Sequence, residues 1–118
     1  MLAKSPKWLH DLRSSADFIM GATSGKSLAD YESDLMLHSA VERHFEIIGE
    51  AIGRLARHDP ETAAALGNYQ RIIAFRNVLI HGYDLVNHSQ VWTVIFEHLP
   101  LLRQKADALL AIADQADR

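Results

Sequence analysis

The stretch Tyr69–Tyr83 reads YQRIIAFRNVLIHGY, and three of its side chains, Arg76, Asn77 and His81, are equipped for chemistry. Arginine stays charged at any physiological pH, and its planar fork meets two phosphate oxygens at once. Histidine, with an ordinary pKa of about 6.5, takes or gives a proton near neutrality. Asn77 stands one turn before His81 and is suited to orient that ring or to hold a phosphate oxygen. At roughly 100° per residue the three fall within an arc of about 140°, opposite a core face of Ile72, Phe75, Val78 and Leu79. Gly82 breaks the helix directly behind them.

Such a set suits cleavage of a ribose phosphodiester. The 2′-hydroxyl is the nucleophile, so a protein need only remove its proton, stabilise the charged phosphorane and protonate the leaving 5′ oxygen. That chemistry requires neither a metal nor a nucleophilic side chain. One Arg and one His are few for the task, but a twofold dimer would place two Arg76 and two His81 in one cleft, with one His as base and the other as acid. The same pair has ordinary uses too. An imidazole at a helix C-terminus is favoured by the dipole, and an exposed arginine commonly has an ion-pair partner.

Helical periodicity positions these groups, and no alternating stretch is long enough for a strand. Pro6 opens a first helix, with Leu9, Leu12, Ala16 and Ile19 on its apolar face, ending over Gly21–Gly25. A short turn of helix follows at Ser27–Glu32. The longest helix is expected over about Ser33–Arg57, its apolar face Leu37, Val41, Phe45, Ile48, Ile52 and Leu55. Gly49 and Gly53 are costly in a helix interior and imply that another helix crosses there. Asp59-Pro60-Glu61 is an N-cap, first-turn proline and acid for a brief helix to about Leu66. Tyr69–His81 is the next helix. After the loop Tyr83–Asn87, a last helix runs from about His88 to the C-terminus, with Pro100 expected to kink or break it. Its face of Trp92, Ile95, Leu99, Leu102, Leu109 and Leu110 is core or dimer surface.

The chain has 118 residues, one domain over 1–118, with 48% hydrophobic and 23% charged residues, as in a globular protein. There are no cysteines, which excludes disulfides and thiolate metal sites and suits a reducing cytoplasm. The N-terminal residues lack the apolar run of a signal peptide, and no stretch nears the ~20 apolar residues of a membrane span. A net charge of −3 argues against a broad nucleic-acid coat and leaves room for a small local phosphate site. A cytoplasmic protein is expected.

Arg76-Asn77-Val78-Leu79-Ile80-His81-Gly82-Tyr83 closely resembles the signature of HepT-like proteins in the HEPN superfamily: Arg, four residues, His, one residue, Tyr, usually with Asn after the Arg. Val41–Ala51 resembles the family's long-helix segment, and Val91–Val94 through Leu99-Pro100 its stretch after the motif. The resemblance therefore runs along essentially the whole chain. It implies an all-α, antiparallel HEPN bundle of about four to five helices, homodimeric, with the motif lining a cleft at the interface. It further implies that Arg76 and His81 are catalytic in metal-independent ribonuclease chemistry that leaves a cyclic phosphate, supported by Asn77. Tyr83 would match the tyrosine to which a minimal nucleotidyltransferase antitoxin of the MntA kind adds AMP, the two proteins forming a toxin–antitoxin pair. Phosphate charge two residues from His81 would block the cationic pocket; without the resemblance, Tyr83 is an ordinary core or interface aromatic. Two departures stand out. Asn87 and His88 follow the motif where more acidic residues are expected, and Asn68-Tyr69 replaces a proline-tryptophan lead-in.

Other residues carry weaker signals. Arg43, Glu46, Glu50, Arg54 and Arg57 form a stripe on the long helix; Arg43 and Glu46 are possible cleft residues, with a solvated stripe of i,i+4 pairs as the plainer reading. His38 and Glu42 lie one turn apart, but no third ligand stands at a suitable spacing and there is no HExxH, so no metal site is expected. The remaining histidines (His10, His44, His58, His88 and His98) are taken as surface or satisfied residues. No cofactor is expected, and no glycine-rich phosphate loop occurs. The rival to an RNA-cleaving enzyme is a non-catalytic helical dimer that docks a nucleotidyltransferase, or a plain dimerisation module; an inert adaptor has no need of both Arg76 and His81.

Overall fold

The computed structural model describes residues 1–116, and of Tyr83 and Ala116 the backbone alone. The described residues are helical throughout, with no strand. Helix α1 spans Ser5–Thr23, α2 Leu28–Ser33, α3 Leu35–His58, α4 Pro60–Ala65, α5 Tyr69–His81, α6 His88–Thr93 and α7 Leu99–Ala116. The seven segments make fewer rods than their number suggests. α2 and α4 are short pieces, and α6 continues into α7 through a π-helical turn at Val94–His98.

Local chemistry sets most of the ends. Ser27 and Asp30 form a reciprocal capping box at α2, with Ser27 Oγ accepting from the Asp30 N–H at 3.1 Å and the Asp30 carboxylate from the Ser27 N–H at 2.9 Å. Asp34 caps α3 by accepting from the Leu37 N–H. Gly25 and Gly67 stop α1 and α4 with positive φ angles of 74° and 91°, a backbone region open to glycine. Pro100, expected to kink or break the last helix, follows a local interruption of its α-helical ladder. The ladder opens by one residue just ahead of it, the Leu99 N–H reaching back to Val94 O, and this slack absorbs the missing N–H and the bulk of the ring.

α3 is the centre of the bundle. α1 packs along it, α5 crosses it, and α7 lies against α1. The core joins Leu9, Leu12, Ala16 and Ile19 of α1 to Val41, Phe45, Ile48, Ile52 and Leu55 of α3 and to Ile95, Leu99, Leu102 and Leu110 of the last rod, all essentially without exposure. Burying side chains of this size contributes on the order of 2 kcal/mol each.

A second anchor was legible only as a helix cap. Asp59 accepts from Thr62 N–H and caps α4, and it also accepts from Ser5 Oγ at 2.6 Å, Thr62 Oγ1 at 2.7 Å and the Leu2 N–H at 3.1 Å. One buried carboxylate thus ties the start of α1 to the α3–α4 corner. Burial opposes its charge, but the hydrogen bonds from Ser5, Thr62 and Leu2 outweigh that and hold the carboxyl well below the usual range.

Candidate functional site

α5 approaches α3 at Gly49. A Cβ at that position would overlap Arg76 Cβ and Cγ, so the glycine is what lets the arginine stem lie against α3. The close approach inferred from Gly49 and Gly53 is therefore real at Gly49, and is made by a side chain rather than by backbone. Gly53 has only Arg57 nearby and no crossing helix.

Seating Arg76 on α3 fixes how α5 is rotated. At about 100° per residue, Ile72, Arg76 and Leu79 form the contacting stripe, and Phe75 and Ile80 flank it. Leu79 is the only fully buried residue of the helix. Val78, expected in the core, falls on the outward arc and is 51% exposed. The expected arc of Arg76, Asn77 and His81 also divides: Arg76 joins the packed face, whereas Asn77 and His81 are exposed. The aliphatic stem of an arginine packs as a hydrophobe would, so a polar residue can belong to the inner stripe.

The guanidinium of Arg76 is held from two sides. Its Nη2 donates to Glu50 Oε2 at 3.1 Å and its Nη1 to Asn77 Oδ1 at 3.1 Å, while Nε is buried without a partner. Glu50 also accepts from Arg54 Nε at 3.2 Å, so one carboxylate serves two arginines. Its role was not singled out from sequence, where it belonged only to a charged stripe; its place beside Gly49 was the available signal. Asn77 acts on Arg76, not on the His81 ring.

These groups open on a cleft of about 380 Å³ lined by Arg43, Glu46, Glu50, Arg54, Arg76 and Ile80, together with Trp8 and Asp11 of α1. Arg43 donates to Glu46 within it at 3.3 Å. Each Nη of Arg76 keeps a second N–H beyond those given to Glu50 and Asn77, so the guanidinium can meet an anion in the cleft without leaving them. His81 does not line this cleft within one chain; it lies about 140° further round α5, at the exposed helix end. The side chain of Tyr83 lies outside the described parts of the structure.

The histidines are not all satisfied. His44 hydrogen-bonds Ser15 at 3.0 Å and stacks on Phe18, and burial, then the neighbouring Arg43 charge, pushes its pKa down. His38 and Glu42, however, do gain a third potential ligand: His88, carried in by the loop after α5. Spacing along the chain gives no sign of it, because the residues meet only through the fold.

The likeness to known proteins covers most of the chain. The family model described as "Ribonuclease HepT-like" matches residues 12–109. The relative named "Putative RNase TTE0752", from Caldanaerobacter subterraneus subsp. tengcongensis, is 30% identical over 91% of this chain and 96% of its own length. "Putative RNase MJ1380", from Methanocaldococcus jannaschii, is 26% identical over 85% of this chain and 91% of its own. No solved structure matches the chain significantly. No helix among the described residues is long and apolar enough to cross a membrane. With the matched segment running from the middle of α1 deep into α7 and taking in all of α5, the chain belongs to the HepT-like ribonuclease family.

Proposed function

We propose that this chain is a metal-independent endoribonuclease that works as a homodimer, with Arg76 and His81 of both copies around one scissile phosphate. The observation that carries the reading is the division of labour on α5. Arg76 is clamped on α3 by Gly49, Glu50 and Asn77, whereas His81 is left free at the helix end. A fixed cation suits the charge that builds on the phosphorane, because a preorganised group needs no rearrangement as the charge develops. A free imidazole suits proton transfer.

In the reaction, one His81 takes the proton of the 2′-hydroxyl as its oxygen bonds to phosphorus. The bond from phosphorus to the 5′ oxygen breaks, the second His81 protonates that oxygen, and the products are a 2′,3′-cyclic phosphate and a free 5′-hydroxyl end. Glu50 is a positioning residue that holds the Arg76 guanidinium while its remaining Nη N–H groups meet the phosphate. Arg43 and Glu46 are further cleft residues, the first an added contact for the RNA backbone. The family setting supports a toxin–antitoxin role in which a minimal nucleotidyltransferase of the MntA kind adds AMP at Tyr83, putting phosphate charge two residues from His81 and blocking RNA. The protein would act in the cytoplasm.

The test is RNA cleavage in EDTA by wild type, His81→Ala and Arg76→Ala, with circular dichroism of each protein in the same buffer. Expected is cleavage ending in cyclic phosphate, reduced about a hundredfold or more by His81→Ala without loss of helix content. Equal cleavage by wild type and His81→Ala refutes the reading. Absence of cleavage by folded wild type, together with tight binding of a nucleotidyltransferase, favours a non-catalytic docking dimer instead.

A further inference from the structure

Away from the arginine cleft, the first turns of α3, the start of α6 and the buried ring of α2 enclose a second polar cluster. His38, Glu42 and His88 each offer a ligand atom, and these atoms lie within 4.8 Å of one another. The two imidazoles face each other with centroids 4.3 Å apart. His38 Nδ1 stands 3.5 Å from Glu42 Oε2. Yet the Nδ1 atoms of His38 and His88 are both buried without a hydrogen bond, as is the hydroxyl of Tyr31, whose ring touches both imidazoles. Buried polar atoms are almost always paired, and three orphans at one spot mark a place where a ligand completes the pairing.

We propose that His38, Glu42 and His88 form a site for a zinc-class divalent metal ion, which ties the loop after α5 to the start of α3. Two imidazole nitrogens and one carboxylate oxygen are the donors that zinc takes in three-ligand sites, and imidazole disfavours magnesium and calcium. Bonds of about 2.0–2.2 Å would draw the donors to roughly 3.5 Å apart, an adjustment within reach of side-chain rotation. Tyr31 is wholly buried against both imidazoles, with its unpaired hydroxyl available as a hydrogen-bond donor to the groups around the ion. Trp92, tilted against Tyr31 at 5.2 Å, supplies an apolar wall.

The site is separate from the proposed ribonuclease chemistry. Glu42 precedes Glu50 by two turns of α3, about 12 Å along the axis. Its effect would be to anchor the segment that leaves His81 and Tyr83, because His88 begins the helix where that segment ends. His88 is also one of the residues by which the chain departs from the family resemblance.

The full chain, stripped with chelator and dialysed, is titrated with zinc by calorimetry and with cobalt(II) by visible absorption, in the absence of RNA. Expected are one zinc per chain, the intense visible bands of four-coordinate cobalt, and a rise in melting temperature with zinc. His88→Gln and Glu42→Gln should each weaken binding at least tenfold, while circular dichroism of the metal-free variants matches wild type. Should one variant fail to fold, the other gives the same reading. No saturable uptake by wild type, or uptake by both variants as strong as that of wild type, overturns the site and assigns any binding to the other histidines. Neither result depends on whether the chain cleaves RNA.

Discussion

α3 and α5 lie against each other but face different surroundings. α3 buries seven of its 24 residues, including Val41, Phe45, Ile48 and Ile52, so its own chain encloses it. α5 buries only Leu79 among 13, and turns Val78, Asn77 and His81 outward. A helix covered on several sides is held by packing, and its side chains are free only to be core. One covered on a single side by an arginine stem and two or three aliphatic residues is held just firmly enough to present the rest. On the proposed reading, a second copy of the chain covers that outward face.

The contrast can be broken by substitution. Phe45→Ala should destabilise by about 3–5 kcal/mol, since the ring is fully buried edge-on to Phe75. Val78→Ala should change the stability of the dilute protein by less than about 0.5 kcal/mol. Chemical denaturation measures both, and a similar cost at the two positions would show that α5 is as enclosed as α3.

Gly49→Ala examines the contact itself. The added Cβ meets Arg76 Cβ and Cγ near the helix axis, where the stem has little room to yield. Overpacking of this kind costs about 1–3 kcal/mol. Loss of cleavage larger than the loss of folded protein is also expected, because Arg76 is displaced; an unchanged melting curve would contradict the seating of Arg76.

Asp59→Asn probes the anchor on the enclosed side and should cost about 1–3 kcal/mol at neutral pH, because the amide turns an NH2 toward groups that donate to the carboxylate and leaves buried partners unpaired. The folded-state pKa of Asp59 is depressed, so its contribution is present above the unfolded value of about 3.9 and is lost as pH falls through the folded value. The stability of wild type should therefore fall with acid below about pH 4, and the variant should show a shallower acid dependence. Parallel pH curves for the two proteins would remove Asp59 from the account.

Most of the fold was legible because its helices carry one clear apolar stripe and chemically marked ends. Tyr69–His81 was expected and found, and the stripes of α1, α3 and the last rod face the core as read, with Leu37, Trp92 and Leu109 only partly buried. The errors share a cause. Periodicity locates an apolar face, but it does not say which neighbour a helix meets or at what rotation. Val78 was placed inside because it is apolar, whereas Gly49 admits Arg76 and turns Val78 out. The disturbance expected at Pro100 is there, but its form, a π turn, is invisible to composition. His88 was read as surface because its partners are distant in sequence. Of the candidate site, residue types and the resemblance brought Arg76, Asn77 and His81 forward; Glu50, which holds the arginine, needed the fold.

The most direct measurement is cleavage rate per chain followed through a dilution series, alongside sedimentation velocity over the same concentrations. If two copies build one site, activity per chain falls in step with the dimer fraction. A sedimenting monomer that cleaves RNA at the full rate would contradict the shared site.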